Sequence, residues 1–286
     1  MTKRKQHGTI KALNGVYWAL KQIGTFFWLS AKYEYLGVKS IASSVSSVVR
    51  SNPTVQSTVK EAKKRHESAS KEPATFVPWE PVSTLKGDFE RFGDRIRTAS
   101  SIVLVAGRRG SGKSVLGFRL LENIHAKTQR PCYVLGVKQG VLPVWIESVE
   151  KLEDVKNGGV VLVDEGAVAF GSRDSMSKKN KELGKLLAVA RHKDLTLVLI
   201  TQNTGMIDKN VLNLTDTILL KEGSLLQEKM ERSVMKEIYR SASKAFSAIP
   251  ANERQQHVYV FDNDFEGVCK VSLPSFWSSK VSKNQA

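Results

Sequence analysis

The segment Ser101-Ile102-Val103-Leu104-Val105-Ala106-Gly107-Arg108-Arg109-Gly110-Ser111-Gly112-Lys113-Ser114 joins two local patterns. Ile102 to Ala106 is a short apolar run, β-branched in part, which suits a buried strand. It passes directly into G-x-x-x-x-G-K-S, the spacing of a phosphate-binding loop. Beyond the loop, Leu116, Leu120, Leu121 and Ile124 recur at helical spacing within Val115 to Lys127. Strand, glycine-rich loop and helix follow in the order that phosphate binding requires.

Gly107, Gly110 and Gly112 let the backbone curl until its N–H groups share one concavity. The helix that follows adds the positive end of its dipole at the same place. The candidate nucleotide-binding set is therefore Gly107, Arg108, Arg109, Gly110, Ser111, Gly112, Lys113, Ser114 and Val115. Within it Lys113 supplies a point charge for the β- and γ-phosphates, and the Ser114 hydroxyl is a ligand for Mg²⁺. Arg108 and Arg109 either add charge near the nucleotide or stand exposed in solvent.

Downstream, Val160-Val161-Leu162-Val163 is an apolar run that ends in Asp164-Glu165, the Walker B pattern. At the carboxyl end of a buried strand Asp164 is placed to hold Mg²⁺ beside Ser114, and Glu165 to act as general base on a water. A second buried run ends Leu199-Ile200-Thr201-Gln202-Asn203. An amide there reaches both a γ-phosphate and an attacking water, which makes Gln202 a sensor; a turn role for Gln202-Asn203 is the alternative. Arg191 stands four residues after Leu187, on an apolar stripe where a free guanidinium is out of place. It is read as an arginine finger toward its own or a neighbouring subunit's nucleotide, with Arg173 and Arg254 as rivals. Charge complementation at a helix C-terminus is the plainer account of Arg191-His192-Lys193. The catalytic candidates are thus Lys113, Glu165, Gln202 and Arg191, and the metal candidates Ser114 and Asp164.

The remaining pattern predicts a helix over Ser83 to Thr98, a strand over Cys132 to Val137 and a helix over Pro143 to Asp154. A helix over Lys181 to Lys193 and strands over Leu195 to Thr201 and Thr217 to Leu220 come next. A long helix with Leu226, Met230, Val234, Ile238, Ala242 and Phe246 as its stripe precedes a hairpin, His257 to Phe261 with Gly267 to Leu273. Continuously apolar strands alternating with helices imply an α/β fold whose parallel sheet is covered on both faces.

The 286 residues carry 41% hydrophobic side chains, enough for a real core, and a formal charge of +16, which favours an anionic partner. Lys and Arg outnumber Asp and Glu roughly threefold in residues 1–72. That region reads as a basic, helical docking element for DNA, a membrane surface or a capsid-like partner, its aromatic-rich part at residues 10–35. Residues 73–82 read as a linker and 83–286 as the ATPase domain. Cys132 and Cys269 form neither a disulfide framework nor a metal cluster and suit a reducing compartment. No signal peptide or confident membrane span is seen, so a cytoplasmic or virion-associated setting is expected, with peripheral membrane contact as an option.

Taken together, Gly107-x-x-x-x-Gly112-Lys113-Ser114, Asp164-Glu165, Ala190-Arg191-His192-Lys193 and Leu199-Ile200-Thr201-Gln202 resemble the FtsK/HerA superfamily of DNA-pumping ATPases. The nearest branches in appearance are viral genome-packaging ATPases and the zonula occludens toxin-like assembly ATPases of filamentous phages. The resemblance covers about residues 100–222. It implies a RecA-like (ASCE) P-loop NTPase core, with the Gln202 strand between the phosphate-loop and Walker B strands; the small helical N-terminal region read above lies outside the resemblance. It implies ATP as the nucleotide, double-stranded DNA as partner, and a homo-oligomeric ring, most often a hexamer. The function expected on this basis is an ATP-driven DNA translocase or genome-packaging motor. The alternative is a membrane-associated, zonula occludens toxin-like assembly or export ATPase, although the C-terminal membrane segment of that branch has no counterpart here.

Overall fold

A computed structural model of the chain describes residues 72–135, 137, 142–164, 176–202, 204, 209–223, 233–278 and 281. All belong to one compact unit, Arg65–Ala286. The expected N-terminal helices, Glu165, Arg173 and the first part of the long helix lie outside the described residues.

Among the described residues nine strands form one sheet in the order β1-β9-β8-β7-β2-β6-β5-β3-β4. They are β1 (Glu80–Gly87), β2 (Ile102–Ala106), β3 (Cys132–Leu135), β4 (Ile146–Val149), β5 (Val160–Val163), β6 (Thr196–Thr201), β7 (Thr217–Leu220), β8 (His257–Asp262) and β9 (Phe265–Lys270). From β7 to β4 every pairing is parallel, whereas β8, β9 and β1 join antiparallel. β6 separates β2 from β5, which is the RecA-like order expected. The helices are α1 (Phe89–Thr98), α2 (Lys113–Thr128), α3 (Met176–His192), α4 (Lys209–Asn213) and α5 (Ser233–Ser247). Among the described residues no helix is long and apolar enough to cross a membrane.

Alternation along β2 explains how both faces are filled. Val103 and Val105 pack with Leu116, Leu120 and Ile124 of α2, while Leu104 joins Leu183 and Leu187 of α3. Ala106 lies with Met235, Ile238 and Tyr239 of α5. A strand buried on both sides must be apolar at every position, and β2 and β5 are.

Four expectations need correction. Residues 83–88 are not helical: β1 runs to Gly87, and α1 begins only after Asp88, whose carboxylate accepts from the N–H groups of Glu90 and Arg91. The spacing Leu85-Phe89-Phe92-Ile96 extends backwards past a true N-cap, and Gly87 at φ +85° closes that route. Residues 143–154 hold β4 and a 3₁₀ turn (Leu152–Asp154) instead of a helix. Ile146 and Val149 are both buried three residues apart, a spacing that suits either state, and pairing with β3 decides it. The hairpin turn is tighter than expected, because Asp262 accepts from the Asp264 N–H at 2.8 Å and β9 starts at Phe265.

The fourth concerns residues 73–82, which are anchored to α2 instead of hanging as a linker. The Thr75 N–H donates to Glu122 at 3.1 Å, Asn123 exchanges two hydrogen bonds with Val77, and Trp79 is buried. Glu122 also accepts from the Ser275 N–H at 3.1 Å and from the Ser275 hydroxyl, and pairs with Arg119 at 2.8 Å. One buried carboxylate in the middle of α2 thus gathers both ends of the described unit.

Candidate nucleotide site

β2 delivers the chain to the loop at Gly107, and Gly112 caps α2 on the far side. Gly107, Gly110 and Gly112 have φ of 151°, 75° and 87°, all in the region that an L side chain resists, so the curl depends on glycine. Lys113 is buried, and its ammonium donates to the Arg108 carbonyl at 3.0 Å across the loop. Ser111 is also buried, and its hydroxyl has no hydrogen-bond partner among the described residues. An orphaned hydroxyl inside a ring of backbone N–H groups fits an anionic ligand. Arg109 is exposed and Val115 half-buried at the start of α2.

Register places the other parts. Ala106 pairs with Thr201 and Val163 with Leu199, so Asp164 and Gln202 leave the carboxyl ends of β5 and β6 beside the loop. The Ser114 hydroxyl donates to Asp164 at 3.4 Å. A hydroxyl and a carboxylate at that separation are the donor set that a hard divalent cation uses. Mg²⁺ fits Ser114 and Asp164, where it would neutralise phosphate charge. Gln202 is exposed at the end of β6.

Arg191 lies elsewhere. It is exposed at the C-terminus of α3 and lines a cavity of about 750 Å³ with Ser101, Ile102 and Asp216, at the entry ends of β2 and β7. The length of β2, roughly 17 Å at the usual rise per residue, separates it from its own loop. The reading of Arg191 as a finger toward its own nucleotide is thereby corrected. Its supposed place on the stripe fails as well: Arg191 is exposed in the last turn of α3, whereas Leu187 and Ala190 are buried.

Residues that the sequence reading passed over surround the loop. Glu222, just past β7, pairs with Arg108 at 2.7 Å and with Arg254 at 2.9 Å. Burial pushes its carboxyl upward, but hydrogen bonds from Arg254 and Arg108 outweigh this and hold it below the ordinary value. Gln255, in the 3₁₀ turn Arg254–Gln256, donates to the Gly110 carbonyl at 3.4 Å. Lys221 is 3% exposed. Its ammonium donates to the carbonyls of Gln255 and His257 at 2.5 and 2.7 Å, and burial pulls its pKa down to about 7. The one sequence signal was Lys221-Glu222 straight after the apolar run Ile218-Leu219-Leu220.

The sheet order, the glycine loop and the two carboxyl-end side chains define a P-loop NTPase architecture. By sequence, residues 117–223 match the family model described as Zonular occludens toxin (Zot). That match runs from α2 to just past β7 and includes Asp164, Arg191 and Gln202. No curated protein matches the chain. Among solved structures, the genome packaging NTPase B204 from Sulfolobus turreted icosahedral virus 2, in complex with AMPPCP, is similar at 16% identity and a TM-score of 0.45; the match covers 61% of this chain and 99% of that one. B204, the DNA-packaging ATPase from Sulfolobus Turreted Icosahedral Virus, aligns at 16% identity and TM-score 0.44, with 61% and 99% covered. The pCW3 conjugation coupling protein TcpA, with ATPgS, aligns at 13% and 0.42, with 66% of each chain covered.

Proposed function

We propose that the chain is an ATP hydrolase that drives DNA movement from within a homo-oligomeric ring, as a genome-packaging motor does. The pairing of Ser114 with Asp164 beneath the glycine loop carries this reading, because it brings a metal ligand set to the phosphate cradle. Lys113 and the loop N–H groups bind and orient the triphosphate. Asp164 and Ser114 hold Mg²⁺, Glu165 takes the proton of the attacking water, and Gln202 orients that water. Arg191, remote from its own loop, serves a neighbouring subunit. The charge of +16 supports DNA as the anionic partner.

Steady-state ATP hydrolysis with and without double-stranded DNA tests the reading. Stimulation by DNA that disappears in Glu165→Gln is the expected result; hydrolysis indifferent to DNA refutes the motor. Arg191→Ala is expected to lose turnover at least about 100-fold, and restoration in mixed rings with Glu165→Gln subunits would locate it in trans. The match of residues 117–223 to Zot favours a second reading, a membrane-associated virion assembly ATPase. Flotation of the full chain with anionic liposomes, joined to DNA-independent hydrolysis, would favour that one.

A further inference from the structure

Lys221 is a loop-side cation that the proposed chemistry does not use, and its surroundings are unusual. A side chain at Gly107 would meet the Lys221 Cβ at 2.8 Å, and one at Gly112 would meet its Cε at 3.6 Å and its Nζ at 3.9 Å. The lysine therefore lies along both glycines that begin and end the loop. Its backbone N–H donates to the Ala106 carbonyl at 2.8 Å, which fixes its root at the mouth of β2. Its far end is held by the carbonyls of Gln255 and His257, and Gln255 in turn bonds Gly110. Strand β7, the loop and the turn before β8 thus meet on one side chain.

Two neutral carbonyls are poor compensation for a buried ammonium. The charged or titratable groups on the elements packed around it are Arg108, Arg109 and Lys113 on the loop, Glu222 beyond β7, and Glu253, Arg254 and His257 at the turn. Only Glu222 and Glu253 are acidic; Glu222 is committed to Arg108 and Arg254, and neither carboxylate is in ion-pair contact with Lys221 among the described residues. The site therefore holds positive charge in excess, next to the place where an anion is expected.

We propose that Lys221 is a positioning residue of the nucleotide site: it fixes the Gly107 and Gly112 ends of the phosphate loop to the turn before β8, and its unpaired ammonium is compensated by the polyphosphate of a bound nucleotide. The proposal rests on the reading of the loop as a nucleotide site. Its consequence is a linkage. Burial alone lowers the pKa of Lys221 to about 7, an adjacent polyanion raises it, and binding near pH 7.5 must then take up protons.

The test is binding of a Mg²⁺-loaded, non-hydrolysable ATP analogue to the full chain by titration calorimetry in HEPES and in Tris. The wild-type chain is expected to take up a fraction of a proton at pH 7.5. Its affinity should fall about fivefold between pH 7 and pH 9, because a lysine of pKa about 7 is already half neutral at pH 7 and a one-unit rise gives its full tenfold only at lower pH. Lys221→Met should bind about fivefold more weakly at pH 7 and lose the pH dependence; Lys221→Arg should stay flat and tight. Proton uptake by the wild type needs no variant, so a misfolded mutant does not blunt the test. Wild-type binding with no proton uptake and a flat profile overturns the role of Lys221 while the nucleotide site stands. A wild-type chain that binds no nucleotide removes the site itself, and the proposal with it.

Discussion

Arg119 and Glu122 are one turn apart on α2, and their side chains are 3% and 0% exposed. The guanidinium also donates to the carbonyls of Thr75, Ser272 and Leu273. Removing one member of such a pair strands the other, so Arg119→Met is expected to cost about 3–5 kcal/mol in urea unfolding. Cys132 and Cys269 behave differently, because burial with no strong partner pushes each thiol up to about 12. Both should therefore resist a thiol reagent at pH 8 in the folded chain and react on unfolding, so that labelling reports the unfolding rate. Rapid labelling of either one in the native chain would contradict its burial. At this scale the site was partly legible. Lys113, Ser114, Asp164 and Gln202 announce themselves because each follows a glycine signature or ends an apolar run. Lys221 and Glu222 do not, since their meaning comes from contacts with Gly107, Arg108 and Arg254, far away in sequence.

At the level of elements, the central parallel strands were readable because each is a mainly apolar, buried run bounded by turn residues. The periphery was not. β1 is exposed at all eight positions, with Val82 and Leu85 uncovered, and carries no hydrophobic signature of a strand. Only its pairing to β9 makes it one, and that pairing depends on Gly267. A methyl group there would stand 2.2 Å from the Ser83 carbonyl oxygen and 2.7 Å from the Phe265 ring. Gly267→Ala should therefore lift β1 from the sheet at a cost of about 1–3 kcal/mol. Amide exchange should accelerate over residues 80–87 and leave β2 and β6 protected; unchanged exchange in β1 would contradict the close approach. Pro81, Lys86 and two register shifts already keep this edge from recruiting another strand.

For the whole molecule, electrostatics sets the expectation. With +16 of formal charge, binding to double-stranded DNA should be dominated by phosphate contacts. Affinity read by fluorescence anisotropy should then drop by about 10³–10⁵ between 50 and 200 mM salt if some 6–10 contacts form. A salt-insensitive affinity would point away from backbone recognition.

The carboxylate of Glu122 has one more implication. Thr75, near the start of the described residues, and Ser275, near their end, are bound to the same group, so the chain between them is a circuit and not a line. Trimming it from the front or from the back opens that circuit at the same clasp. Two truncations far apart in sequence are thus a single lesion in space, felt first by the helix that begins at the phosphate loop.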